Sequence, residues 1–520
     1  MRKKSRTSLL FVTGVVLVLA MMVSACSGNN STNQPTGGQG QTATSNPEST
    51  ETTDTAKLDP VELTWYFPNT IQNMKDIELV QAEMNKIIQE EINATIKLMP
   101  LDWGAYDQKM NVMTGAGEKF DLMFTAPWSN NYFQNVSREA LLPLDELLDK
   151  YAPTLKETVP ASVWDATRVK GKIYGAINWQ IVAMPYGTGI EKKYAEKYNV
   201  NLDEIDKYED FEPYLEAWNE SYPPLVYRKD GADPFTSQPP YFRMDSIGED
   251  SSVGWISLDD TSMKVFNQFE STEFKNFVEL MHKWYKAGYF PKDAALQTSA
   301  QANANMKAGR GEFMGIGSPI KPGVEAESKA ALNRDIVVKP LSEAIITTNR
   351  AIATMTGISA TSDNPERAMM FLELINSNKG LYNLLSNGIE GKHYKIVSDN
   401  VIEKVVENNG YNPGTDWMFG NQFNAYYTSK EMVGVWEQTI EMNKNAVTSP
   451  LLGFSFDPEL VKTELAQSNA VFQQYKDALL SGTADPEKTL PEFLDKLEKS
   501  GANKVIEEKQ KQIDAWKNAK

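Results

Sequence analysis

Residues 61–68 read VELTWYFP, residues 95–101 read TIKLMPL, and residues 120–125 read FDLMFT. Each is a short apolar run rich in β-branched and aromatic residues and closed by Pro-Asn, Asp or Pro, the pattern of a strand buried on both faces. Between the first two, residues 72–91 place Ile77, Val80, Met84, Ile87 and Ile88 on one helical face. Residues 106–114 form a second helical pattern, stopped by Gly115-Ala116-Gly117. Strand, helix, strand, helix, strand is the signature of α/β architecture, and it predicts a mostly parallel sheet with helices on both faces. Ligands bind such sheets at the carboxyl ends of the strands. Here those ends are Phe67 to Asn69, Asp102-Trp103 and Thr125 to Trp128.

Further along the chain, GKIYGAINWQ at 171–180 reads as a strand leaving this body, and a helix-rich region from about 190 to 345 carries its own strand, FMGIG at 313–317. RAIATMTGISA at 350–360 then reads as a returning strand, followed by a helix with Asn364 as cap and Pro365 as its first residue. The first body is therefore expected to be discontinuous. A polar aromatic loop, YNPGTDWMFGNQFNAYY at 411–427, precedes a helical tail from about 457, punctuated by Gly482, Pro486, Pro491 and Gly501. At 520 residues the chain is too long for one core, and no fixed-period repeat points to a solenoid.

The amino terminus is basic, then apolar over LLFVTGVVLVLAMMV at 9–23, then Ser24-Ala25-Cys26. That order is an export signal, and fifteen apolar residues fall short of the roughly 20 that span a bilayer as a helix. Residues 1–25 are thus expected to be removed. Cys26 is the only cysteine, so no disulfide can form within the chain. Residues 27–57 contain no aromatic residue and no Leu, Ile, Val or Met, and with Cys26 they read as a tether. Taking the four leader cations from the 52 basic residues leaves 48 against 69 acidic ones, a charge of minus 21. Such a body repels polyanions, and no basic tract is interleaved with aromatics, so nucleic acid is not an expected partner.

Chemistry has few supports. There are two histidines, His282 and His393, and no HExxH, paired CxxC, GxSxG, phosphate-loop or GxGxxG motif. No metal ligand set and no cofactor are expected. Asn199 to Asp203 alternates oxygen-bearing residues but lacks the glycine of a calcium loop, and reads as a helix-capping turn. Glycoside hydrolysis needs only two carboxylates across a bond, so a secreted glycoside hydrolase stays open as the alternative. So does a surface lipoprotein that transports nothing. A sugar has an apolar ring face and a rim of hydroxyls, which calls for flat aromatics beside amides and carboxylates. Trp103, Trp128, Trp179 and Trp417 lie at strand ends or in polar loops and are the stacking candidates, with Trp255 and Tyr186 as secondary ones. Trp164, Trp218, Trp284, Trp436 and Trp516 lie in helical runs and read as packing.

These residues resemble a known family, the extracellular solute-binding lipoproteins of ABC-type sugar importers in Gram-positive bacteria. The resemblance is carried by Val23-Ser24-Ala25-Cys26, which is similar to a lipobox, by GKIYGAI with YGTGIEKKYAEKYNV, and by NPERAMMFLELINSNKGLYNLLSNGIEGKHY. The tail, GFSFDPELVKTELAQSNAV with LPEFLDKLEKSGANKVIEEKQKQIDAW, is similar to the carboxyl-terminal domain of unknown function in the LipO-type group. The resemblance implies the two-lobe, periplasmic-binding-protein-like α/β fold of type II with a helical carboxyl-terminal extension. Its lobes would be 58–177 with 350–400, and 178–349 with 401–456, followed by helices over 457–520. It implies an oligosaccharide held between the lobes and passed to ABC permease subunits by a monomer held at the outer membrane surface by lipid on Cys26. By position, it implies that Phe67, Asn69, Thr125, Trp128, Asn131, Asn178, Trp179 and Trp417 face ligand. Glu390, within GIEGKHY, matches the family pattern and serves equally well to hold a turn.

Overall fold

The computed structural model describes residues 58–310, 312–407 and 409–519. The expected signal peptide, Cys26 and the tether lie outside the described residues.

The first unit forms as its apolar periodicity dictates. β1 (Val61–Pro68) leads to α1 (Ile77–Ile92), β2 (Ala94–Leu101), α2 (Trp103–Ala116) and β3 (Leu122–Thr125). α1 buries Val80, Met84, Ile88 and Ile92 along one face. α2 ends on Gly117 at φ 66°, the left-handed position a glycine cap supplies. β1 pairs in parallel with β2 and with β3. The sheet is nevertheless mixed. β4 (Ala176–Ile177) and β5 (Met355–Ile358) complete the order β2-β1-β3-β5-β4, with β5 antiparallel to both of its neighbours. Between β4 and β5 the chain builds most of the second core, so β5 is not the end of a local strand-helix-strand crossover that would make it run parallel.

Other boundaries moved. Lys172–Ile173 forms a hairpin with Arg168–Val169, so 171–180 is broken into two short strands rather than one. The stretch expected as strand 350–360 opens as the helical turn Thr348–Ala351. In the second unit the central strand is Tyr186–Glu191, flanked antiparallel by Ser318–Pro319 and Ile336–Pro340, while FMGIG contributes a single bridge, Met314 to Ile190.

Two large cores result. One gathers side chains from Leu63 to Ala183 and again from Ile346 to Leu452. The other runs from Ile190 to Met314 and resumes at Val461. Residues 401–456 send Tyr411, Met418, Phe419 and Ala425 into the first core, against Phe67 and Tyr382. The helices after β5, α3 (Pro365–Ser377) and α4 (Lys379–Asn387), pack on that core as well. The tail makes α5 (Lys462–Leu480), α6 (Pro486–Lys499) and α7 (Ala502–Ala519), whose Phe472, Leu479, Phe493, Leu497 and Val505 complete the second core. Pro491 lies within α6 rather than between helices. Among the described residues no helix is long and apolar enough to cross a membrane.

Candidate functional site

Three loops bring three indoles together at the carboxyl edge of the first sheet. Trp103 opens α2 directly after β2, Trp128 follows β3, and Trp417 sits in the short turn Asp416–Met418. The ring centroids of Trp103 lie 6.0 Å from Trp128 and 6.2 Å from Trp417, each pair with planes 25° apart. Trp128 and Trp417 are 6.1 Å apart at 50°. Phe124, fully buried, backs the cluster at 5.7 Å from Trp128 and 6.4 Å from Trp417. Trp103 is 38 % exposed and Trp128 53 %. Large aromatics exposed to that extent and grouped form a stacking surface rather than a core.

Polar residues fix the shape of this edge. Trp128 Nε1 donates to the Ala353 carbonyl at 2.7 Å, which orients the ring. Thr125 Oγ1 donates to the Asn130 carbonyl at 2.6 Å. Asp107 Oδ1 accepts from Ser129 Oγ at 2.7 Å and from the Asn130 amide at 2.9 Å. Asn130 itself takes φ 43°, a left-handed conformation that asparagine tolerates. Asn131 caps the next helix by accepting from the Gln134 amide at 3.0 Å, and its Nδ2 donates to the Pro127 carbonyl at 2.7 Å.

The other expected residues are placed differently. Phe67 is fully buried against Phe419 and Trp65, at 5.2 and 5.3 Å, so its ring is part of the core and not of the edge. Asn69 is fully buried as well. Its Nδ2 donates to Thr415 Oγ1 at 2.7 Å, and its Oδ1 has no partner among the described residues. Asn178 Nδ2 donates to the Met418 carbonyl at 2.8 Å, and its Oδ1 accepts from Thr356 Oγ1 at 3.3 Å. Trp179 is only 6 % exposed, edge-on to Phe423 at 6.0 Å, and its carbonyl accepts from the Gln422 amide. Asn178 and Trp179 thus hold the loop that carries Trp417, while Trp103, Trp128 and Trp417 form the indole cluster. Trp255 is fully buried in the second core, and Tyr186 is buried with its hydroxyl on Arg350.

Sequence reasoning did not single out Phe124, Thr415 or Asp107. Phe124 was legible only as a strand residue, and Thr415 only as part of a loop.

The carboxylates near the indoles serve the loops. Asp102 Oδ1 accepts from the Ile71 amide at 3.3 Å, and Asp416 Oδ2 accepts from Gln422 Nε2 at 3.0 Å. The two histidines likewise hold backbone. His282 Nδ1 is 2.8 Å from the Gly482 carbonyl, while His393 Nδ1 accepts from the Ile389 amide and its Nε2 faces Asp76 at 3.2 Å. Asn201 caps a short turn by accepting from the Asp203 amide. Among the described residues no three His, Cys, Asp or Glu side chains converge as a metal site. Phe423 and Tyr427 of the same late loop also line a cavity of about 290 Å³, together with Lys379, Asn400, Trp436 and Glu437.

The chain as a whole is similar to known proteins. The family model described as bacterial extracellular solute-binding protein matches residues 75–381, and a domain of unknown function matches residues 450–518. A carbohydrate ABC transporter substrate-binding protein of Streptococcus pneumoniae is 32% identical over 458 residues, covering 86% of this chain and 89% of the relative. The crystal structure of an N-glycan transport solute-binding protein from the same organism aligns with TM-score 0.77 at 29% identity, over 89% of this chain and 100% of that one. Its complex with Man5GlcNAc aligns with TM-score 0.65 over the same shares at 29% identity. An extracellular solute-binding protein from Bifidobacterium longum subsp. infantis shares the fold, with TM-score 0.60 at 14% identity over 88% of this chain and 98% of that one. The matched stretch 75–381 is more than half of the chain, and the chain belongs to the bacterial extracellular solute-binding protein family.

Proposed function

We propose that the chain is the substrate-binding protein of an ABC importer that captures an oligosaccharide and delivers it, chemically unchanged, to permease subunits in the membrane. The observation that carries this reading is the cluster of Trp103, Trp128 and Trp417, three grouped indoles of which two are well exposed, on loops from three separate parts of the chain. The N-glycan transport protein of Streptococcus pneumoniae, seen with Man5GlcNAc, supports the same ligand class. The turn from Thr125 to Asn131 shapes the polar side of the proposed site.

The proposed architecture is two lobes. Residues 58–183 with 346–452 build the first and 190–341 with the helices of 457–520 build the second, following the two cores. Sugar touching both lobes stabilises the closed form, because in the open form only one lobe makes contacts. Lipid on Cys26 holds this monomer at the extracellular face of the membrane, each buried methylene contributing about 0.8 kcal/mol.

A thermal-shift and calorimetric titration with Man5GlcNAc and a panel of other neutral oligosaccharides tests the reading. A ligand at about 100 times its Kd stabilises the fold by about 2.7 kcal/mol, which raises Tm measurably. Failure of every oligosaccharide to shift Tm, or the appearance of new reducing ends on incubation, would overturn it.

A further inference from the structure

The chain leaves the first core through 178–185, a segment with no regular helix or strand apart from one bridge at Met184. Its main-chain groups therefore need partners from elsewhere. The Asn178 amide donates to the Thr354 carbonyl at 3.1 Å and the Trp179 carbonyl accepts from the Gln422 amide at 2.8 Å. The next two groups are met by a single side chain. Asn443 Nδ2 donates to the Gln180 carbonyl at 2.9 Å, and Asn443 Oδ1 accepts from the Val182 amide at 3.0 Å. Asn443 is 5 % exposed and lies near the end of the helix Val435–Asn445. That helix is fastened to the first core through Trp436, whose Nε1 donates to the Ala425 carbonyl at 2.9 Å. Immediately beyond, three passages run side by side. Met184 bridges Ile345, and Ile345–Ile346 pairs in parallel with Val447–Thr448.

We propose that Asn443 is the hinge pin of the protein, a positioning residue that clamps 180–182 to the first core and so sets where the chain is free to bend toward the second. The amide suits the role because it presents a donor and an acceptor to two backbone groups of opposite kind. Aspartate keeps the acceptor for Val182 and turns the other end against the Gln180 carbonyl. Leucine of similar volume leaves both buried groups unmet, each at a desolvation penalty. The inference rests on the proposed two-lobe motion but needs no sugar for its test.

The test uses the full chain with Cys26→Ala, spin labels at the exposed positions Val112→Cys and Leu296→Cys, one on each side of the crossing, and amide exchange at Val182. In the parent, Val182 exchanges slowly. Asn443→Asp keeps that protection, Asn443→Leu loses about tenfold of it, and both broaden the distribution of inter-label distances. If both variants lower Tm yet leave the distance distribution as in the parent, Asn443 is a structural residue and the proposal falls. If Asn443→Leu does not fold, Asn443→Asp and the parent decide alone, since rapid Val182 exchange in the parent or an unbroadened distribution in Asn443→Asp each overturns it. A chain that bends as expected yet binds no oligosaccharide refutes the proposed function and leaves the hinge intact.

Discussion

Trp103→Ala and Trp417→Ala will each weaken oligosaccharide binding by about 10- to 100-fold, the loss expected when a central aromatic anchor of about 1.5–3 kcal/mol is truncated. The fold will barely notice Trp103→Ala. Its ring is 38 % exposed and contacts other edge indoles, so removing it opens no internal cavity. Trp179→Ala will behave in the opposite way. Its indole is 6 % exposed and packed on Phe423, so truncation leaves a void worth about 3–5 kcal/mol and lowers Tm. Any effect of Trp179→Ala on binding should follow from a loosened late loop, because the Trp179 carbonyl holds Gln422. Calorimetric titration paired with thermal melts separates the two classes. Unchanged affinity in both Trp103→Ala and Trp417→Ala would remove the indole cluster from the ligand site.

The contrast between Trp103 and Trp179 also shows where sequence is silent. Strand ends were legible, because apolar runs closed by Pro, Asn or Asp mark them, and that was enough to bring Trp103 and Trp128 to one edge. What neighbours a strand end is a tertiary matter. Trp179 and Phe67 share the aromatic-beside-amide signature of the exposed indoles, yet the loop 411–427 folds back over them, with Phe423 on one and Phe419 on the other. The direction of β5 was hidden for the same reason, since an apolar run of four residues records burial but not polarity. The tail is helical in sequence pattern and in structure, and Gly482 and Gly501 fall between its helices, whereas Pro491 is accommodated inside α6.

Lys509→Ala will be among the most destabilising single substitutions in the tail. Lys509 projects from α7 into the second unit and is fully buried, with Nζ donating to Ser252 Oγ at 2.8 Å, the Val253 carbonyl at 2.7 Å and the Gly254 carbonyl at 3.2 Å. The fit is close. Gly254 has φ 99°, and a Cβ there would lie 2.9 Å from Lys509 Cδ, so the loop 252–254 and the lysine stem require each other. Truncation to alanine removes the stem and leaves three buried oxygens without a donor, a loss of about 3–5 kcal/mol when cavity and unmet acceptors are taken together. The penalty should also depend on pH. Burial pushes the Lys509 amine down to about 7, while in the unfolded chain it titrates at about 10.4. Between those values the unfolded chain binds the additional proton, so the stability of the parent rises with pH through this group and that of the alanine variant does not. Denaturant melts at pH 7 and pH 9.5 should therefore show the gap between parent and variant widening at the higher pH. A gap independent of pH would mean that the three oxygens hold Lys509 as an ammonium ion throughout, and a small gap at both values would mean that the helical tail is not fastened to the second core through this residue.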